Sequence, residues 1–173
     1  MLSDKQIGVL KGMATGLATS IAVLCLAVFT APQALLPAAQ DALKFSLTWD
    51  TLVIGCLAFN IALLARHRFF APEDIDGGGL SVGSATARTL QATLQNTLEQ
   101  TVLAISVHLI WASTMPQGWQ AAVPAAASLF VIGRILFWRG YAAGAPARAL
   151  GFALTFYPSV AMLLTIIGRL LLR

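Results

Sequence analysis

Residues 121–141, AAVPAAASLFVIGRILFWRGY, decide the fold of this chain. The apolar run from Ala121 to Phe137 is long enough to cross the hydrocarbon core of a membrane as a helix. Arg134 lies inside that run, where a guanidinium group is costly unless it faces the protein interior and has a partner. The stretch therefore predicts a helical bundle in a membrane, with a buried cation near one boundary.

The composition of the whole chain agrees with this interpretation. Of the 173 residues, 58% are hydrophobic and 10% are charged, whereas a soluble domain carries about 25% charged residues. The length allows four or five spans of about 20 residues each and leaves no room for a separate soluble domain. The net charge of +4 is spread over helix ends, so nucleic-acid binding is not indicated. The two cysteines lie in apolar runs and show no metal-ligand spacing.

Five helices are predicted, separated by segments that contain proline or glycine. Ser3 and Gln6 have the spacing of a capping box, which opens the first helix. A cleaved signal peptide is the competing interpretation, but the apolar run is longer than a usual signal sequence. The predicted elements are spans at 7–31 and 49–65, a loop at 69–83, a helix from about 84 to 114 with a polar first half, and spans at 121–141 and 147–172.

Three smaller patterns carry further predictions. Gly8, Gly12 and Gly16 form a face of small residues on the first span, which lets another helix approach closely. In a non-catalytic membrane protein, this face would be a partner or trimer contact. His67 is flanked by two arginines at a span end, which favours a solvated histidine. His108 lies among apolar residues, and a hydrogen-bonded structural role is expected because no second ligand sits at metal spacing.

The candidate functional residues lie near one membrane boundary. In a helix, Arg134, Trp138 and Tyr141 share one face, which suits an anionic, partly polar ligand. The alternative is an arginine that extends to the headgroups beside an aromatic belt. Glu99, next to Asn96 on the third helix, needs a cation, and Arg134 is the natural candidate. A solvated or interhelical polar stripe is the alternative there.

The distribution of basic residues predicts the orientation. Eight of the 11 lysines and arginines fall on the side of the amino terminus, and Lys44, Arg169 and Arg173 fall on the other. The amino terminus is therefore expected in the cytoplasm and the carboxyl terminus outside. We expect an integral protein of a bacterial inner membrane.

Three motifs, in order, give the chain a resemblance to the MAPEG family (membrane-associated proteins in eicosanoid and glutathione metabolism). Arg66 followed by Phe70-Ala71-Pro72-Glu73-Asp74 is similar to the end of the family's first helix and its loop. Asn96-x-x-Glu99 resembles the Asn-x-x-Glu of its second helix. Arg134-x-x-Phe137-x-x-Gly140-Tyr141, with Arg148 following, resembles the Arg-x-x-Tyr-x-x-Gly-Tyr motif and the arginine of its fourth helix.

The resemblance implies an all-α fold, a four-helix transmembrane bundle over residues 49–173 that forms a homotrimer. Residues 1–48 would be an extra transmembrane helix and its connection. Glutathione would be a co-substrate bound between subunits, with Arg148 stabilising its thiolate. The glutathione-binding residues implied are Arg66, Asn96, Glu99, Arg134 and Tyr141.

Two functions follow from the resemblance. The first is a glutathione transferase or peroxidase that acts on lipophilic electrophiles or hydroperoxides entering from the bilayer. The second is a non-catalytic protein of the same fold that binds lipid or a partner protein. Ala92, where many members have arginine, and Phe137, where they have tyrosine, favour the second. A small transporter is a weaker third possibility, because the spans carry few ionisable groups at depth.

Overall fold

The computed structural model describes residues 1–172, and these form five α-helices joined by short turns. Arg173, one of the basic residues used to predict the orientation, lies outside the described residues. The helices are α1 (Asp4–Thr30), α2 (Ala42–Phe70), α3 (Ala85–Thr114), α4 (Ala122–Tyr141) and α5 (Ala145–Leu171). The predicted all-α helical bundle is therefore confirmed.

The helix starts follow from local chemistry. The predicted capping box is present at α1, where the Ser3 hydroxyl accepts from the backbone N–H of Gln6 and the Gln6 side chain accepts from the N–H of Ser3. Ser84 caps α3 by accepting from the N–H of Ala87. Gly144, with φ of 96°, makes the tight turn between α4 and α5, and Pro146 occupies the first turn of α5.

The second helix is longer than predicted at both ends. It begins at Ala42 rather than near Trp49, and it continues through Arg66, His67 and Arg68 to Phe70. Between Ala42 and Trp49 there is neither proline nor glycine, so nothing in the sequence interrupts the helix. The connection predicted over residues 32–48 therefore shrinks to two short 3₁₀ turns, Gln33–Leu35 and Ala39–Asp41.

Four of the five helices, α1, α2, α4 and α5, are long and apolar enough to cross a membrane. They also leave large apolar side chains exposed on the outside of the bundle, among them Ile54, Phe59 and Ile61 on α2. Exposed apolar bands of this kind fit a lipid environment. This is an integral membrane protein, and the fifth crossing by α3, whose first half is polar, stays a prediction, as do the orientation and the bacterial inner membrane.

Helix α5 lies at the centre of the packing, against α1, α3 and α4, while α2 packs on α3 and α4. Gly8, Gly12 and Gly16 of α1 approach Pro146, Ala149 and Ala153 of α5 in the same order along the chain, so the two helices run parallel. We call the end of the bundle that holds the start of α1 and α5 the basic end. Arg66, Arg68, Arg88, Arg139 and Arg148 lie there.

Candidate functional site

Arg134 is fully buried at 0% exposure and joins three helices. From α4, one Nη atom donates to Asn96 Oδ1 on α3 at 2.8 Å, and the other donates to Thr155 Oγ1 on α5 at 2.6 Å. The guanidinium also lies over the rings of Phe130 and Phe137, at 5.6 and 4.6 Å from their centroids. The predicted interior position of Arg134 is confirmed, and the snorkelling alternative is wrong.

The predicted partner of Arg134 is wrong. Glu99 is exposed, and its carboxylate accepts a hydrogen bond from Gln95 at 3.0 Å. Asn96 and Glu99 are three residues apart, so their side chains are separated by about 60° around the helix. In the structure, α3 is rotated so that Asn96 faces Arg134 of α4 and Glu99 stays exposed.

The contact with Arg134 determines how Asn96 is presented. A guanidinium has only donors, so the amide oxygen of Asn96 must face it. The amide NH₂ group of Asn96 is thereby left free to donate elsewhere. Asn96 is half-buried and lines a cavity of about 400 Å³, so its donors are available to a ligand there.

This cavity, which we call the basic-end cavity, brings together three of the predicted site residues. Asn96 of α3, Tyr141 of α4 and Arg148 of α5 form its polar side. The Arg148 guanidinium lies 4.3 Å from the centroid of the Tyr141 ring, a distance typical of a cation–π contact. The remaining lining is apolar and comes from α1 as well as from the other helices: Val9, Met13, Ala92, Phe137, Ala145, Ala149 and Phe152.

Glycine contacts between α4 and α5 bring Tyr141 and Arg148 together. A Cβ atom at Gly140 would lie 2.3 Å from the carbonyl oxygen of Ala147, so only glycine allows the two backbones to come this close. Each of these residues immediately precedes one member of the Tyr141–Arg148 pair. The Gly140 of the sequence motif therefore serves the geometry of the cavity.

Two other predicted members of the site lie elsewhere. Trp138 packs on Phe59 of α2, with ring centroids 5.2 Å apart, instead of sharing a ligand face with Tyr141. α4 packs on both α2 and α5. The side chains of Trp138 and Tyr141 point in directions about 60° apart around α4, so Trp138 contacts α2 and Tyr141 contacts α5. Arg66 is exposed and lines a separate surface cavity with Leu63 and Phe70.

The loop before α3 holds a polar cluster at the basic end. Asp74 accepts from the backbone N–H of Ser84 at 2.7 Å and from its hydroxyl at 2.6 Å, and His67 lies 2.8 Å away. The Ser84 hydroxyl, the Ser84 backbone N–H and His67 lower the pKa of Asp74 from its ordinary value. The prediction of a simply solvated His67 is wrong, because the loop folds back and supplies a carboxylate.

A second buried polar group lies in the half of the bundle away from the basic end. The Nδ1 atom of His108 lies 2.6 Å from Asp50 Oδ1, and Ser46 donates to Asp50 at 3.3 Å. His108 and Asp50 are 1% and 3% exposed. The predicted hydrogen-bonded role of His108 is confirmed. Its partner Asp50 was missed, because the sequence places it at the predicted start of a span.

Sequence reasoning also missed Thr155, which holds Arg134, and two residues of α1 that line the cavity. Thr155 looked like an ordinary small residue of an apolar helix, although its hydroxyl holds Arg134. Val9 and Met13 belong to the first helix, which the motifs did not connect with the site. The only available signal was the glycine face of α1, and it showed that a helix would pack closely without showing which one.

The sequence of this chain matches a known protein family over most of its length. A model of the MAPEG family matches residues 46–168, which is well over half of the chain. No significant match was found among curated proteins or among solved structures. The matched region contains α3, α4 and nearly all of α5, and thus the whole polar side of the basic-end cavity. The chain belongs to the MAPEG family.

Proposed function

We propose that this protein is a membrane-bound glutathione transferase or peroxidase that acts on lipophilic electrophiles or hydroperoxides. The observation that carries the proposal is the basic-end cavity, in which Arg148, Tyr141 and Asn96 surround a space otherwise lined by apolar side chains. Its volume of about 400 Å³ is within the range of about 300–1,000 Å³ common to small-molecule sites. Glutathione, a polar tripeptide, would bind at the polar side of the cavity, and an apolar electrophile would bind against its apolar lining.

The chemistry assigned to Arg148 is thiol activation. A free thiol has a pKa near 8.5, and a cation beside the sulfur lowers it, so that more thiolate is present at neutral pH. The thiolate sulfur then forms a bond to the electrophilic carbon as the leaving group departs with its electron pair. With a hydroperoxide, two glutathione molecules are oxidised to the disulfide, and the products are an alcohol and water.

Asn96 and Arg134 have different roles in this proposal. Asn96 would donate from its amide NH₂ to a carbonyl or carboxylate of glutathione. Arg134 does not line the cavity and acts as a positioning residue, because its hydrogen bond holds the amide of Asn96 in one orientation. Phe137 lies beneath Tyr141, with ring centroids 5.5 Å apart, and closes the cavity without adding a hydroxyl.

Calorimetry with glutathione on the detergent-purified protein tests the proposal. We expect binding by the wild type and a loss of at least tenfold in affinity for Arg148→Ala, since a hydrogen bond to a charged group is worth about 1.5–3 kcal/mol. Arg139→Ala is the matched control, because Arg139 is exposed at the same end of the bundle. No binding by the wild type at millimolar glutathione, or equal losses in both variants, would refute the proposal.

The proposed assembly is a homotrimer with glutathione bound between subunits. The resemblance assigns Arg66 to the glutathione site, but this residue lies at a different cavity from Arg148 in the same chain. Arg66 can therefore reach the basic-end cavity only from a second copy of the chain. Trimers assembled from a mixture of Arg66→Ala and Arg148→Ala subunits should recover part of the glutathione binding that each variant lacks alone. An absence of recovery in mixed trimers would place Arg66 outside the site.

The second candidate function is a non-catalytic MAPEG protein that binds a lipid. It is favoured by the mainly apolar lining of the same cavity, including Ala92 and Phe137. Mass spectrometry of the purified protein under native conditions would then show retained lipid that Phe152→Trp displaces. Glutathione binding that depends on Arg148 would instead select the enzyme.

A further inference from the structure

The first helix contributes to the basic-end cavity although it lies outside the region that matches the family. The match begins at residue 46, whereas α1 ends at Thr30. Val9 and Met13, four residues apart on α1, line the cavity together with Arg148 and Tyr141. In this chain, Val9 and Met13 thus form one wall of the cavity, and this wall lies outside the region that matches the family.

α1 is held on this wall by close contact with α5. Cβ atoms built at Gly8, Gly12 and Gly16 would lie 2.9, 2.9 and 2.3 Å from the Cβ atoms of Pro146, Ala149 and Ala153. Each step of four residues on α1 is matched by a step of three or four on α5, so the contact continues along parallel helices. The prediction that another helix approaches this glycine face closely is confirmed, and that helix is α5 of the same chain. The partner or trimer contact expected for a non-catalytic protein is wrong, because α5 covers the face.

The register of this contact places Val9 and Met13 at the level of Arg148. Gly8 meets Pro146 and Gly12 meets Ala149, and these two α5 residues flank Arg148 in the sequence. Val9 follows Gly8, and Met13 follows Gly12. The cavity therefore has a polar side at Arg148 and an apolar side on α1, both within the first two turns of α5.

We propose that Val9 and Met13 are specificity-determining residues, which bind the alkyl or aryl part of a ligand whose polar end lies at Arg148. That this polar end is the sulfur of glutathione, and the apolar part the second substrate, rests on the function proposed above. Methionine is flexible and polarizable, so it adapts to chains of different shape. Each methylene group buried against this wall should strengthen binding by about fourfold.

Two series of ligands test the proposal on the full chain in lipid nanodiscs. The first series is glutathione and its S-methyl, S-butyl and S-hexyl derivatives, titrated by calorimetry. The second is methyl-, butyl- and hexylsulfonate, which carry an anion for Arg148 and no glutathione. The variants are Val9→Ala, Met13→Ala and Met13→Leu, and the control is Leu10→Ala, since Leu10 is 57% exposed on the same helix and does not line the cavity.

We expect affinity to increase with chain length in the wild type, in Leu10→Ala and in Met13→Leu, which keeps the side-chain volume. In Val9→Ala and Met13→Ala, the hexyl ligands should lose at least fivefold, while glutathione and methylsulfonate change by less than twofold. A defect of folding would weaken all ligands alike and is thereby distinguished.

The outcomes separate this proposal from the proposed function. If the sulfonates show the dependence on chain length and the glutathione series does not bind, the wall is supported and the glutathione function fails. If glutathione binds and the dependence on chain length is the same in Met13→Ala and Leu10→Ala, the wall is refuted. If neither series shows any dependence on chain length in the wild type, the wall is refuted as well.

Discussion

Two buried polar clusters lie in the membrane-spanning part of this protein, and they differ in what surrounds them. In the half nearer the basic end, Arg134 holds Asn96, which also lines a cavity of about 400 Å³. In the other half, Asp50 and His108 are bonded to each other, are almost fully buried, and do not line the basic-end cavity. Burial of a polar group in a membrane therefore does not by itself indicate a ligand site. The indication comes from a donor that remains free and faces a cavity.

The comparison also separates two kinds of buried charge. The Asp50–His108 pair contains both members of a possible ion pair. Arg134 has no carboxylate partner among the described residues and relies on an amide, a hydroxyl and two aromatic rings. The Asp50–His108 cluster depends on the presence of both partners, whereas the Arg134 cluster depends on the orientation of neutral groups. The two should respond differently to substitution.

The largest effect is expected for His108→Leu, which leaves the Asp50 carboxyl buried with only Ser46 as a partner. Removing one member of a buried pair costs about 3–5 kcal/mol. Thermal unfolding in detergent, followed by circular dichroism, measures the loss. The double variant Asp50→Leu/His108→Leu should recover most of it, because an apolar pair needs no partner. Equal losses in the single and double variants would contradict a paired role.

Arg134→Met should cost about 2–4 kcal/mol, because two charge-assisted hydrogen bonds of about 1.5–3 kcal/mol each are lost while a buried cation is also removed. This variant should also weaken glutathione binding, since Asn96 is no longer held in one orientation. His108→Leu, once folded, should bind glutathione as the wild type does. Equal glutathione affinities in both variants would remove the distinction between the two clusters.

A smaller effect, dependent on pH, is expected for Asp74→Asn at the basic end. The folded-state pKa of Asp74 is lowered, so its contribution to stability is present above the unfolded value of about 3.9 and is lost as the pH falls through the folded value. Unfolding of the wild type and the variant should therefore differ at neutral pH and converge in acid. A difference that persists unchanged at about pH 2 would show that charge on Asp74 is not its source.

The smallest effect is expected for Glu99→Gln. Glu99 is exposed, and its only hydrogen bond in the described chain is accepted from Gln95. Surface substitutions of this kind stay within about 0.5 kcal/mol. A loss above about 2 kcal/mol in thermal unfolding would mean that Glu99 has a buried partner in the assembled protein.

Sequence patterns were sufficient for the features that depend on neighbouring residues. The capping box at Ser3 and the close-packing face at Gly8, Gly12 and Gly16 follow from local spacing and are present. The partners of these features depend on the rotation and placement of whole helices. For this reason the motif predicts Glu99 rather than Asn96 as the partner of Arg134, and the glycine spacing predicts a close helix contact without identifying α5.

The same division applies to the candidate site: residues that belong to motifs were predictable, and residues that reach the site only through helix packing were not. Asn96, Tyr141 and Arg148 come from three helices and were identified through motifs, and the fold brings them to one cavity. The contributions of Thr155, Val9 and Met13 could not be predicted, because these residue types are common in any membrane helix. Their roles arise only from the contacts of α5 with its neighbours on both sides.

The central claim is that Arg148 acts on a thiol bound in the basic-end cavity. Difference absorbance in the ultraviolet, recorded as glutathione is added to the wild type and to Arg148→Ala and Arg139→Ala, tests it most directly. We predict a thiolate signal at neutral pH in the wild type and in Arg139→Ala, and its loss in Arg148→Ala even where glutathione saturates the protein. A thiolate signal of full size in saturated Arg148→Ala, or none in the saturated wild type, would contradict the claim.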